Sequence, residues 1–255
     1  MKQSDLYKAI FYRKSIRKYE MTSLPEDLMT EIKTYINSVK YLDDSIKVEL
    51  SYLETNEVKN LLPIKAPHYI CVYSETKDGY LMNIGFILQQ IDLYLSAKGI
   101  GSCWLGMAKP AKGILKQKEG MDFVIMLAFG NSEESVRRKD LLEFKRKELD
   151  DISTAKGANK LLEPVRIAPS ATNSQPWFFT GNESELHLHR TKLSLIKTPV
   201  YGKMNQIDMG IAACHLYLSA LEQNKKVDFT VKEMDPDEIP KGYQYMISAT
   251  MVGKV

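Results

Sequence analysis

The chain has 255 residues, 35 Lys+Arg against 32 Asp+Glu for a formal net charge of +3, and 44% hydrophobic residues. That balance excludes global disorder, which needs lower apolar content or higher net charge. The length admits one large domain or two small ones, each able to bury a core. The longest strongly apolar stretch, Phe123–Phe129, falls well short of the ~20 residues that cross a bilayer. No apolar signal core follows Met1-Lys2-Gln3-Ser4-Asp5. Cys71, Cys103 and Cys214 are widely spaced and odd in number, which argues against a disulfide framework or a zinc site. A reducing, cytoplasmic compartment is expected.

In chain order, residues 3–13 predict a short helix with Leu6, Ile10 and Phe11 on one face. Ser23-Leu24-Pro25-Glu26 reads as a helix start with Ser23 as N-cap, followed by Leu28, Ile32, Tyr35, Ile36 and Val39 at helical spacing. Residues 41–67 are poorly patterned and read as loops. His68–Tyr73 predicts a strand, and residues 81–98 a long apolar helix capped by Gly99. Asp122–Phe129, closed by Gly130, reads as a strand buried on both faces. The charged stretch 131–150 is the expected connection between two halves. A helix follows over roughly 151–167, then strands Trp177–Thr180 and Glu185–Arg190 around a Gly181-Asn182 turn. Residues 207–223 form a second apolar helix, and Phe229–Val231 and Tyr243–Val252 are the last strands.

Leu93-Tyr94-Leu95-Ser96-Ala97 recurs as Leu216-Tyr217-Leu218-Ser219-Ala220, an offset of 123 residues between positions 93 and 216. Both copies lie in a long apolar helix that precedes a strand. This suggests a duplicated α+β unit.

Three segments carry chemistry. In Arg13-Lys14-Ser15-Ile16-Arg17, three cations and a hydroxyl fall within five residues. In an extended chain Arg13, Ser15 and Arg17 point one way, which suits an anion. The bland alternative is a solvated basic turn. Gly99-Ile100-Gly101-Ser102-Cys103-Trp104-Leu105-Gly106 fails as a dinucleotide fingerprint, because Trp104 replaces the third glycine and the segment follows a helix. It reads as a loop whose backbone approaches a flat ligand, or as a tight connection. Ala168-Pro169-Ser170-Ala171-Thr172-Asn173-Ser174-Gln175-Pro176-Trp177 is rich in neutral hydrogen-bonding groups and breaks the helix before it. It has no nucleophile elbow. His187-Leu188-His189 lacks a third metal ligand, and Cys214-His215 reads as core. The basic run from Arg137 to Lys147 is mixed with Asp140 and Glu143, has no aromatic platform, and reads as a solvated helix face.

Together the R-x-S-I-R segment, the Gly99–Gly106 segment and the A-P-S-x-x-N-S-Q-P-W string resemble the FMN-dependent nitroreductase family. Asp208-Met209-Gly210-Ile211-Ala212-Ala213 resembles the start of that family's central helix. The basic motif stands only in the first half and the A-P-S string only in the second; residues 41–50 hold Tyr-Leu-Asp-Asp-Ser-Ile-Lys-Val-Glu-Leu instead. The chain therefore resembles the tandem, fused-dimer branch of the family described as "putative TM nitroreductase". The resemblance implies an α+β nitroreductase-like fold: two tandem halves forming an intramolecular pseudo-dimer, with mostly antiparallel sheets flanked by helices. The expected halves are 1–135, with the phosphate motif, and 136–255, with the ring-covering motif. One complete flavin site and one degenerate site are implied, and a monomer suffices.

Carried over by position, Arg13, Lys14, Ser15 and Arg17 would hold the FMN phosphate, ribityl chain and pyrimidine edge, with Arg138 and Lys139 as further phosphate ligands. Pro169, Ser170, Ala171 and Asn173 would cover the ring. Trp104, Leu105 and Gly106 would pass its other edge, a backbone N–H near Leu105 facing flavin N5. The implied activity is ping-pong hydride transfer from NADH or NADPH through FMN to a nitroaromatic, quinone or enone acceptor. The alternatives are a flavin-binding sensor without turnover and, last, a nucleic-acid-binding protein using Arg137–Lys147. No metal and no membrane partner are expected.

Overall fold

The computed structural model describes residues 3–114, 120–194 and 198–254; Met1 and Lys2 of the N-terminal stretch lie outside them. The elements in chain order are α1 (Gln3–Ile10), α2 (Glu26–Ile36), β1 (Val48–Glu54), β2 (Val58–Asn60), β3 (His68–Ser74), α3 (Tyr80–Ala97), β4 (Gly101–Leu105), β5 (Ala108–Pro110), β6 (Asp122–Gly130), α4 (Leu149–Ile152), α5 (Asn159–Arg166), β7 (Trp177–Gly181), β8 (Glu185–Thr191), α6 (Thr198–Glu222), β9 (Lys225–Thr230) and β10 (Tyr243–Lys254). The fold is mixed α+β with antiparallel sheets. Contacts divide the chain into two compact units, Tyr12–Leu141 and Met1–Phe11 with Leu142–Val255. The N-terminal helix thus groups with the later residues, a partition that no single cut in the chain expresses.

In the unit of residues 12–141 the sheet order is β1-β3-β6-β4, antiparallel throughout. The apolar run of β6 follows from its place: it lies inside the sheet, with residues 125–130 buried. α3 packs against β3, β4 and β6. Tyr69, Cys71, Tyr73, Cys103, Leu105, Met126 and Ala128 gather with Ile64, Ala66 and Ala108 in a separate apolar cluster. Each large apolar side chain buried this way contributes roughly 1.5–3 kcal/mol. The small β2–β5 ribbon supplies Ala108 and half-buried Val58 to that cluster.

In the other unit the sheet order is β7-β8-β10-β9, again antiparallel. α6 packs against α1, α5 and the sheet. Pro164 sits inside α5 and has no N–H to donate to the Lys160 carbonyl. Ser219 Oγ and Gln223 Nε2 on α6 donate to that carbonyl instead, each at 3.3 Å.

Each sheet, read in its own strand sequence, is ordered first, second, fourth, third, and the long helix joins second to third in both. The two Leu-Tyr-Leu-Ser-Ala copies occupy the same place, the last turns of α3 and α6.

Several local readings need correction. Ser23 is not the N-cap: α2 starts at Glu26 with Pro25 at the cap position and no side-chain cap. Residues 41–67 contain β1 and β2, hidden because β1 is an edge strand of half-buried and exposed residues. The 99–106 segment is mostly strand β4. The helix expected over 151–167 is two short pieces separated by a break containing Gly157 at φ +72°. α6 begins at Thr198, so Asp208 lies ten residues inside it rather than at its start.

Candidate functional site

The candidate residues fall into two sets, one in each unit. In the first, the basic segment runs beside the edge of β4. Ser15 bridges Ser102 in parallel, and the Ile16 N–H donates to the Ser102 carbonyl at 2.8 Å. Gly101 is required by that approach, because a Cβ there would lie 2.9–3.0 Å from the Ile16 side chain. On a strand, N–H and C=O groups alternate sides with the residue. Ser102 turns its carbonyl away from β6 toward Ile16, so Trp104 turns the same way and Leu105 turns toward β6. The amide on the open edge near Leu105 is therefore that of Trp104.

Asp92, fully buried on α3, organises this set. Its Oδ2 lies 3.0 Å from Arg13 Nε, an ion pair off the straight line of a hydrogen bond. The Trp104 indole N–H donates to Oδ2 at 3.3 Å, and Ser102 Oγ donates to Oδ1. Arg13 is only 2% exposed and also donates from Nη2 to Ser15 Oγ at 3.0 Å. Sequence reasoning passed over Asp92. Its signal was a lone carboxylate in a helix whose residues 81–96 are all buried, which demands a cationic or hydrogen-bonding partner.

Residues 125 positions away complete the set: Arg138 Nη1 donates to the Arg13 carbonyl. The Arg138 N–H donates to the Tyr12 carbonyl at 2.7 Å, and the Arg137 guanidinium lies 4.5 Å from the Tyr12 ring centroid. Lys14 and Ser15 are half-buried, and Arg17 and Lys139 are exposed. The 137–147 run is solvated at Arg137, Lys139, Lys145 and Lys147, but it is not a helix face: its regular structure is one short 3-10 turn, Leu141–Phe144. Tyr19, whose hydroxyl donates to the Ile16 carbonyl at 2.7 Å, has its pKa raised chiefly by burial. Burial likewise raises the Cys103 thiol, opposed by Arg17 and Arg13.

In the second set, the 168–177 segment makes a tight, irregular turn. Thr172, Asn173 and Gln175 all have positive φ, at 53°, 58° and 47°. Such backbone costs energy and persists only where surrounding contacts fix it. Arg146 donates from Nε to the Ala168 carbonyl at 2.9 Å and from Nη1 to the Phe144 carbonyl at 2.7 Å and to Asn173 Oδ1. Asn173 Nδ2 donates to the Lys145 carbonyl at 3.0 Å, and Gln175 Oε1 accepts the Lys147 N–H at 2.8 Å. Ser170 Oγ accepts the Gln175 N–H at 2.9 Å. The side chains of Ser170, Asn173 and Gln175 therefore build the turn. Pro169 is buried, and Ala171 is half-buried.

Asp208 on α6 holds the turn from below, its Oδ1 accepting the Ala171 N–H at 3.0 Å. Burial pushes its carboxyl up to about 7, opposed by that N–H and by the nearby Ser174 hydroxyl. Ser174 Oγ and Asp208 Oδ2 nonetheless form no well-aligned hydrogen bond. In the other unit Asn83 on α3 has a comparable duty: its Oδ1 accepts the Leu42 and Asp43 N–H groups at 2.9 and 3.1 Å. Those residues belong to the Tyr-Leu-Asp-Asp stretch that precedes β1.

A family model described as "Putative TM nitroreductase" matches residues 5–220. The chain belongs to that nitroreductase family. Among solved structures, a "putative nitroreductase" from Thermotoga maritima is similar over 98% of this chain and 94% of its own, at 22% identity and a TM-score of 0.65. An "FMN-dependent Nitroreductase" from Clostridium difficile matches 58% of this chain and 92% of its own, at 16% identity and a TM-score of 0.41. A nitroreductase "with bound FMN" from Desulfitobacterium hafniense matches 57% of this chain and 98% of its own, at 13% identity and a TM-score of 0.42. No curated protein matches the chain.

The remaining candidates of this nitroreductase-family chain have structural partners. His187 Nδ1 lies 2.8 Å from Ser248 Oγ, and His189 Nε2 lies 2.8 Å from Thr180 Oγ1. Burial, with His187 nearby, lowers His189 to about 4. Among the described residues no group of three or more His, Cys, Asp or Glu could hold a metal. His215 and Cys214 are fully buried, and His215 Nδ1 lies 2.7 Å from the Pro164 carbonyl. No helix among the described residues is long and apolar enough to cross a membrane.

Proposed function

We propose that this chain is an FMN-dependent oxidoreductase that uses NADH or NADPH to reduce a small nitroaromatic, quinone or enone acceptor. Family membership supports the reading. The observation that carries it is that Arg13 pairs with the buried Asp92 while the Arg137-Arg138 segment, about 125 residues on, lies against the Arg13 backbone, which brings the two basic segments together. Asp92 offsets the charge of Arg13; the other cations form a surface suited to a phosphate. FMN, when bound, supplies hydride acceptance and donation at N5.

The residues of this chain then bind and orient. Arg17, Lys14, Arg138 and Lys139 are the proposed phosphate, ribityl and pyrimidine ligands, Arg13 and Ser15 shaping the segment that presents them. The Trp104 amide is the proposed N5 donor, with Leu105 and Gly106 beside the ring edge. Pro169, Ser170, Ala171 and Asn173 are the proposed ring contacts. The shared 1-2-4-3 strand order supports a duplication that builds the dimer into one chain. A cytoplasmic monomer holding one FMN is the corresponding assembly, with no nucleic-acid or membrane partner. Residues 41–43, with no A-P-S string, are where the second site would be degenerate.

The purified chain should be yellow. Bleaching by NADH or NADPH and recolouring by a quinone would support the enzyme; bleaching by dithionite alone would leave a flavin-binding sensor. Two FMN per chain would refute the degenerate second site. Arg17→Ala should weaken FMN binding about tenfold to a hundredfold, the range of one charge-assisted hydrogen bond. Arg17 is the better test than Arg13 because it is exposed, so its loss leaves no buried charge behind. Unchanged affinity by fluorescence titration would remove it from the site.

A further inference from the structure

Beside β4 the unit of residues 12–141 has a cleft of about 1080 Å³ whose lining shares Gly106, and no other named residue, with the flavin reading. The β2–β5 ribbon and residues 61–65 form its walls, and Tyr69 and Phe123 reach it from the sheet. Its lip is apolar and wet: Leu61 is 80%, Leu62 43% and Met107 54% exposed. Scattered apolar surface is ordinary, but three large side chains converging on one concave site mark a ligand surface. Asn60 fixes the turn that presents two of them, donating to the Ile64 carbonyl at 3.0 Å and accepting the Leu62 N–H at 3.1 Å. The Leu61 N–H donates to the Met107 carbonyl at 3.4 Å, which joins the two sides of the lip.

The charge of the cleft is one-sided. Lys59, Lys65 and Lys109 line it, and among the described residues no Asp or Glu does. Lys59 and Lys109 stand directly opposite each other across the ribbon. Like charges in that register oppose strand pairing, and an anion between them would relieve the repulsion.

We propose that this cleft is a second small-molecule site, for an amphipathic anion with a flat apolar body and a sulfonate, carboxylate or phosphate group. The body lies against Leu61, Leu62 and Met107, and the anionic group meets the lysines. The lysines and the apolar lip lie outside the proposed flavin ligands, so the assignment is tested with FMN in place, and the test reads binding rather than turnover.

The full chain, with saturating FMN present, is titrated calorimetrically with 8-anilinonaphthalene-1-sulfonate. It is titrated separately with N-phenyl-1-naphthylamine, the same aromatic body without the sulfonate. The expected result is one saturable sulfonate site per chain, at least fivefold tighter than the neutral probe. The combined variant Lys59→Gln, Lys65→Gln, Lys109→Gln should weaken the sulfonate about tenfold and the neutral probe less than twofold. Met107→Glu, which adds a negative charge at the lip without touching a lysine, should also weaken the sulfonate about tenfold. Absence of saturable binding, equal loss of both probes, or full sulfonate affinity in either variant would overturn the proposal.

Discussion

Replacing Asp92 with asparagine is expected to lower stability by about 3–5 kcal/mol, the usual cost of stranding one member of a buried ion pair. Arg13 is 2% exposed and Asp92 fully buried, so water cannot replace the lost charge. At roughly 2–4 °C per kcal/mol for a chain of this size, the thermal midpoint should fall by about 6–20 °C. A loss under about 1 kcal/mol by denaturant titration would show that the pair does not anchor the basic segment. The double variant Arg13→Met with Asp92→Leu separates stability from placement. Removing both charges together should restore most of the stability, because an apolar pair avoids the desolvation cost. It should not restore the FMN affinity proposed above, because Ser102 and Trp104 lose their shared acceptor and Ser15 its Arg13 donor. Equal recovery of stability and affinity would assign Asp92 to the core alone.

The parts of this architecture written in local pattern were legible. The apolar run of β6, the aromatic and β-branched β3, the two long helices and the 177–191 hairpin each announce themselves by period and composition. So did the three motif segments. What was not legible was set by distance. β1 gives a weak signal because an edge strand with half-exposed side chains has no apolar stripe. Gly99-Ile100-Gly101 suggests a loop, yet Gly101 is a strand residue, glycine because Ile16 crosses over it. Arg146 looked like one cation among several. Its role depends on Ala168 and Asn173, more than twenty residues on, whose turn it closes. The basic residues stand out in the sequence as a cluster, but which one is buried follows from α3. A carboxylate at position 92 selects Arg13 as its partner and leaves Arg17 exposed.

Asp208 presents the opposite electrostatic case, a buried acid with no ion pair among the described residues, and it yields the second large effect. Its carboxyl titrates near 7 in the folded chain, against an ordinary value of 3.8. An unfolded chain therefore releases this proton at lower pH than the folded one. Below about pH 4 both states are protonated and Asp208 contributes nothing. Between about pH 4 and 7 the folded state retains the proton that the unfolded state loses, so stability falls as pH rises. At 1.36 kcal/mol per pH unit, the interval between those two titrations makes this a loss of roughly 4 kcal/mol, complete above pH 7. Asp208→Asn keeps an oxygen for the Ala171 N–H and abolishes the titration. The variant should match the parent within about 1 kcal/mol at pH 4 and exceed it by several kcal/mol at pH 8. Taking the difference between the two proteins at each pH cancels every other titrating group. Parallel pH profiles would place the ionised carboxylate in a better-solvated setting than its burial indicates. If the profiles diverge in this way, the ionised acid weakens the fold at neutral pH directly beneath the 168–177 turn. The strained residues Thr172, Asn173 and Gln175 then rest on a support whose protonation state changes near physiological pH.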